Sequence, residues 1–149
     1  MTTIAFDGKI IAGDTLSSDS WGLKREINDK VIRGKYILIG AAGESAQIRK
    51  WRNVVIDMPI KKLLQHGYPD YELGKNDPQI IVIDTNSKTC YRHDGGLFLE
   101  VNEHFYAIGS GRDYALAAMH LGKSAINAIK VAAVFDINTG SKVLFIKLG

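Results

Sequence analysis

The chain has 149 residues, 46% of them hydrophobic, which is enough for the core of a single domain running from 1 to 149. Its 19 basic and 16 acidic residues leave a net charge of +3, and Lys and Arg are scattered rather than gathered in a stripe, so nucleic acid is not an expected partner. Cys90 is alone and cannot close an internal disulfide; no apolar run approaches the roughly 18 residues of a membrane span and no leader pattern opens the chain, so a cytoplasmic protein without a membrane partner is expected.

In chain order, "TIAFDGKIIAGD" is two short apolar runs around Asp7-Gly8, a pair that readily takes the φ angles of a tight hairpin. A polar, Ser-rich loop is expected from Thr15 to Asp19, then a second hairpin around Gly34-Lys35 in "KVIRGKYILIGAAG". Ser45 can cap a helix in which Ile48, Trp51, Val54, Val55 and Met58 recur at helical spacing, with Pro59 ending or kinking it. "HGYPDYELGKNDPQ" is read as a long connection.

"QIIVID", "KTCYRH", "GLFLEV" and "FYAIGS" have the rhythm of an antiparallel meander, which suggests a second sheet. "RDYALAAMHL" ending at Gly122 and "SAINAIKVAAVF" starting at Ser124 read as capped helices, followed by the strand "KVLFIKL". The order of elements predicts an α+β sandwich, two antiparallel sheets packed together with helices outside.

The chemistry turns on Met1-Thr2-Thr3. A threonine hydroxyl is a weak nucleophile, but an N-terminal threonine carries its own base, because a free α-amine has a pKa of about 7.7 to 8.0 and can take the hydroxyl proton near neutrality. Removal of Met1 would expose Thr2. From the dipeptide alone, Thr2 and Thr3 are more simply two β-branched strand residues. Taken singly, Asp14 could cap a turn, Lys30 could be an exposed strand lysine, Gly40 and Gly43 could serve the turn into the helix, Ser110 could be an N-cap and Asp136 could close a helix.

In order and at comparable spacing, these segments resemble the proteasome β-subunits and the bacterial peptidase HslV, both N-terminal nucleophile (Ntn) hydrolases. The resemblance rests on Thr2-Thr3, "IAGD" at Asp14, "NDKVIRG" at Lys30, "IGAAGESAQ" from Gly40 to Gln47, "AIGSGRDYALAA" at Ser110 and "DINTG" from Asp136 to Gly140. It implies a four-layer αββα sandwich and a threonine peptidase that needs no cofactor. Thr2 is the implied nucleophile, with Lys30 as the ammonium beside it and Asp14 holding Lys30 charged. Gly40 is the implied backbone donor to the oxyanion, Ser110 and Asp136 orient the amine or a water, and Thr139 supports them. Thr3 is expected to matter far less than Thr2.

The resemblance also implies a homo-oligomeric ring fed with unfolded polypeptide or peptide by an ATPase unfoldase; by residue type, Trp21, Trp51, Tyr68 and Tyr71 are core or subunit-contact residues, and Trp51, Met58, Tyr68 and Tyr71 are the candidate interface anchors. Two rival readings stand beside it: a catalytically silent proteasome-like protein, viral in origin, acting as an assembly or inhibitory module, and a small-molecule amide hydrolase. His66, His93, His104 and His120 lie far apart without ligand spacing, so no metal is expected, and "GSGRD" lacks the lysine of a phosphate-binding loop.

Overall fold

The computed structural model describes residues 2–18, 22–43, 45–66, 79–94 and 97–149. The first hairpin joins β1 (Thr3–Phe6) to β2 (Ile10–Asp14) in antiparallel register, with Ile4 opposite Gly13 and Phe6 opposite Ile11. The Asp7 carboxylate builds the turn by accepting from the N–H groups of Lys9 and Ile10 at 2.9 and 2.8 Å. Its other oxygen accepts from the N–H of Ala125 at 2.8 Å, which ties the turn to the start of a helix more than a hundred residues later.

A three-residue ribbon, β3 (Leu16–Ser18) with β4 (Lys24–Glu26), occupies part of the stretch expected to be a loop from Thr15 to Asp19. The second hairpin forms as expected from β5 (Val31–Arg33) and β6 (Ile37–Ala42). The helix α1 (Ser45–Val55) then ends ahead of Pro59, and Pro59 instead opens an unexpected second helix, α2 (Ile60–His66), whose Leu63 N–H donates to the Pro59 carbonyl at 3.1 Å. Proline suits that first turn because its missing N–H has no partner there in any helix.

Of the four strands read as a meander, three behave so. The strands β7 (Gln79–Asp84), β8 (Cys90–Asp94) and β9 (Leu97–Glu100) extend the second hairpin into a five-stranded sheet, β5-β6-β7-β8-β9. The fourth, β10 (Tyr106–Gly109), crosses back to pair with β1, and with β11 (Val143–Lys147) it completes a four-stranded sheet, β10-β1-β2-β11. Between β10 and β11 lie α3 (Arg112–His120) and α4 (Ala125–Phe135), whose ends were legible. Lys123 N–H reaches the Ala118 carbonyl and Gly122 N–H that of Met119, a Schellman closure, while the Ser124 hydroxyl caps α4 by accepting from Asn127 N–H at 3.2 Å.

Strand alternation divides the side chains into three apolar layers. Between the sheets lie Ile4, Phe6, Ile11, Leu38, Ile81 and Ile83. Outside the five-stranded sheet, Ile37, Ile39, Ile80 and Val82 meet Ile48, Trp51 and Leu63 of α1 and α2. Outside the four-stranded sheet, Ala5, Ala12 and Ala107 meet Ala115, Ala118, Ala128 and Ile129, small residues that let α3 and α4 lie close. The architecture is the four-layer αββα sandwich. Trp51 is fully buried in one of these layers, which rules it out as an interface anchor; Met58 packs against the same layer, and Trp21, Tyr68 and Tyr71 lie outside the described residues.

Gly40 belongs to this packing. It sits inside β6, opposite Val31 on one side and Ile81 on the other, and a Cβ there would lie 2.7 Å from Ile4 Cγ2 and 2.9 Å from Ile11 Cδ1. The missing side chain lets the sheets approach. Gly40→Ala is therefore expected to lower the unfolding free energy by about 1–3 kcal/mol through overpacking, read from the urea midpoint by circular dichroism; an unchanged midpoint would show that the sheets have room to spare.

Candidate active site

The site forms where the ends of β1, β2, β5 and β10 converge. Asp14 is the last residue of β2 and is fully buried; Lys30 immediately precedes β5 and is 6% exposed. The Lys30 Nζ lies 3.1 Å from both Asp14 carboxylate oxygens and also donates to the Leu16 carbonyl. Burial pushes the Lys30 ammonium below its ordinary value, against the pull of the Asp14 carboxylate. The helix α1 fixes the preceding residue: Arg49 and Arg52 each donate to the Asp29 carboxylate at 2.9 Å, and Arg52 also donates to the Asp29 carbonyl. Asp14 accepts three backbone N–H groups besides, from Thr3 at 3.0 Å, Leu16 at 3.2 Å and Gly140 at 2.9 Å.

The two threonines face opposite ways. Thr3 turns toward the helices, where its hydroxyl lies 2.7 Å from Thr139 Oγ1 and accepts from the N–H of Gly111 at 3.1 Å. Thr2, continuing the ladder by accepting from Ser110 N–H at 2.8 Å, falls by alternation on the face of Ile4, the face that meets β5 and Lys30. It is 6% exposed. Gly109 makes this entry possible: its φ is +98°, and a Cβ there would stand 1.7 Å from the Thr2 carbonyl oxygen. Gln79, at the start of β7, accepts from Gly109 N–H at 2.7 Å and so links the two sheets beside the site.

Ser110 precedes α3, yet its hydroxyl caps no helix. It donates to Asp136 Oδ2 at 2.6 Å, and Thr139 Oγ1 donates to the same oxygen at 2.6 Å. Burial pushes the Asp136 carboxyl up, but these two hydroxyls and the Asn138 N–H outweigh it and hold the group below its ordinary value of 3.8. Asp136 also ends α4 through its own N–H, donated to Ala132, so the helix-closing and the site-building roles coexist in one residue.

Thr2, Asp14, Lys30, Ser110, Asp136 and Thr139 are thus brought together, joined by Thr3, Gly111 and Gly140. Gly40 is not available as a donor. Ala41 N–H donates to Lys30 at 3.1 Å, so alternation turns the Gly40 N–H toward β7 and into the ladder with Ile81. A strand interior spends its N–H groups on its neighbours. Gly43, just past the end of β6 and exposed, has φ +141°, and among the described residues its N–H has no acceptor.

Because Asp136 is held below the ordinary carboxylate range, its ionised form favours the folded state above that range, and this contribution is lost as pH falls through its folded value. Removing one donor should weaken the effect. In Ser110→Ala the Asp136 carboxyl carbon is expected to titrate at higher pH than in the unaltered protein, followed by NMR; an unmoved midpoint would mean that Ser110 does not donate to it.

No family model matches the chain, and no curated protein matches its sequence. Its likeness lies in structure. Thiobacillus denitrificans BPH superposes with a TM-score of 0.69 at 22% identity over 99% of this chain and 98% of that one. The same protein in complex with epoxomicin gives 0.68 at 21% identity over 99% and 98% of the two chains. Eukaryotic HslV from Trypanosoma brucei gives 0.69 at 18% identity over 98% and 97%. The chain therefore has the fold of these BPH and HslV structures, the αββα sandwich that the order of its motifs led one to expect.

Proposed function

We propose that the protein is a threonine-type peptidase of the proteasome and HslV kind, with Thr2 as nucleophile once Met1 has been removed. What supports this reading is that Thr2, its carbonyl accepting from Ser110 N–H, is buried at the end of β1 whose Thr3 N–H donates to Asp14 of the buried Lys30–Asp14 pair, and that strand alternation turns it to the face of Ile4. In the proposed reaction the free α-amine of Thr2 takes the hydroxyl proton as Oγ1 attacks the scissile carbonyl carbon. The Lys30 ammonium favours the developing negative charge, and Gly43, in place of Gly40, offers its N–H to the oxyanion. Collapse breaks the C–N bond, the proton passes to the departing amine, and an ester remains on Thr2. Water then attacks that ester, with the α-amine as base, and regenerates the hydroxyl.

The Ser110–Asp136–Thr139 cluster weighs against a catalytically silent module, since an inert copy has no chemical need to aim two hydroxyls at one carboxylate oxygen. The ring of identical subunits expected from the resemblance also needs apolar contact surface. Trp51 cannot supply it. The edge formed by α3 and α4 can: Tyr114 and Phe135 stack at 5.4 Å between centroids, and Val134 and Ile137 stand exposed beside them.

Thr2→Ala is expected to lower hydrolysis of a fluorogenic peptide by at least about a thousandfold while leaving the circular dichroism spectrum unchanged. Lys30→Arg should not restore activity lost in Lys30→Ala, because a planar guanidinium does not fit the compact ammonium site. Both are to be measured on protein whose intact mass confirms loss of Met1; wild-type turnover by Thr2→Ala would sink the nucleophile assignment. Light scattering coupled to gel filtration is expected to give a homo-oligomer. A fully active monomer at micromolar concentration would leave the chemistry and remove the ring.

A further inference from the structure

Thr3 lies outside the chemistry assigned above, yet its N–H and its hydroxyl are both buried and both paired. Counting protons gives those bonds a direction. The Asp136 carboxylate has none to give, and Ser110 and Thr139 each donate to its Oδ2 at 2.6 Å. Thr139 has a single hydroxyl proton, so across the 2.7 Å separation from Thr3 Oγ1 it must accept. The Thr3 hydroxyl in turn accepts from Gly111 N–H at 3.1 Å. The result is a one-way chain from the Gly111 amide through Thr3 and Thr139 to Asp136, in which each member polarises the next.

The same residue reaches the other half of the site, because its N–H donates to Asp14 Oδ1 at 3.0 Å, the oxygen that also accepts from Lys30. The fit is close: a Cβ on Gly111 would stand 2.3 Å from Thr3 Oγ1 and 2.9 Å from Thr139 Oγ1, so the chain exists only because residue 111 is glycine.

We propose that Thr3 is the positioning residue of the site. Its N–H and hydroxyl hold the Lys30–Asp14 pair and the Ser110–Asp136–Thr139 cluster in one register about Thr2. This role rests on the peptidase reading of Thr2. It assigns the second threonine a function through its hydroxyl, which Val cannot supply and Ser can.

The test compares Thr3→Val, which keeps the shape and loses the hydroxyl, with Thr3→Ser, which keeps the hydroxyl and loses the methyl, both in the full chain after loss of Met1. In Thr3→Val, kcat is expected to fall at least about tenfold with KM within about twofold. Hydrogen exchange at the Gly111 amide should accelerate about tenfold or more as its acceptor disappears. Thr3→Ser should recover both. Wild-type kcat in Thr3→Val would overturn the proposal, and so would a Thr3→Ser variant as impaired as Thr3→Val, since packing of the methyl would then explain the effect. Should the unaltered protein hydrolyse no peptide, the peptidase reading falls by itself, and Thr3 is judged on Gly111 exchange and the Asp136 titration midpoint. Faster exchange with an upward midpoint in Thr3→Val, both reversed in Thr3→Ser, upholds it; no change in either overturns it.

Discussion

The Asp14 carboxylate is the point on which the rest of the arrangement depends. It is fully buried and accepts from Thr3, Leu16 and Gly140 N–H groups, and both of its oxygens also accept from the Lys30 ammonium. A buried carboxylate without partners would be costly by several kcal/mol, and one so fully satisfied is tolerated because every lone pair has a donor. Its partners come from four separate places in the chain: the N-terminal strand, the start of β3, the entry to β5 and the turn before β11. One anion thus fixes the relative position of both sheets at the end where Thr2 lies. Hydrophobic burial brings the layers together without direction; the ion pair and its amides choose the register.

The same end of the sandwich explains why two threonines stand together. A strand sends successive side chains to opposite faces, so adjacent residues can serve two different layers. Thr3 looks out to the helices and is engaged by Gly111 and Thr139, whereas alternation turns Thr2 to the face of Ile4, which packs between the sheets. Neither residue could take both tasks. The cluster around Asp136 is joined to the ion pair through the backbone and hydroxyl of Thr3, so two carboxylates, Asp14 and Asp136, are joined by a neutral link between them.

What could be read from the chain follows the range of the interactions concerned. The Asp7-Gly8 hairpin, the Gly122 closure of α3 and the Ser124 cap of α4 are settled within a few residues, and the sequence states each of them directly. The ribbon of β3 and β4 carries no apolar alternation and was invisible, and α2 is too short for its spacing to stand out. Nothing local says that β10 must leave the meander, because its partner β1 lies a hundred residues earlier and the choice is made by packing of Ile108 and Ala107 on opposite faces. The site residues were legible only as an ordered series of motifs. Gly40 was misread for a physical reason: a glycine that spares a neighbouring sheet and a glycine that frees an N–H look alike until the ladder is drawn. The contacts of Thr3 could not be read from the sequence because its partners lie 108 and 136 positions away.

That separation has a consequence for how the protein comes into being. The first strand emerges from synthesis long before Gly111, Thr139 and Gly140, which lock it in place. A chain that has not yet delivered residue 140 lacks a donor to Asp14 and the link from Thr3 to Asp136, whatever hairpins it has already closed. Contacts of such long reach are completed late, since the loop between them must first be ordered. The end of the sandwich where Thr2 lies is therefore completed only when the turn at Gly140 is made, and a chain cut short before it carries Thr2 without the contacts that Asp14 and Thr3 draw from that turn.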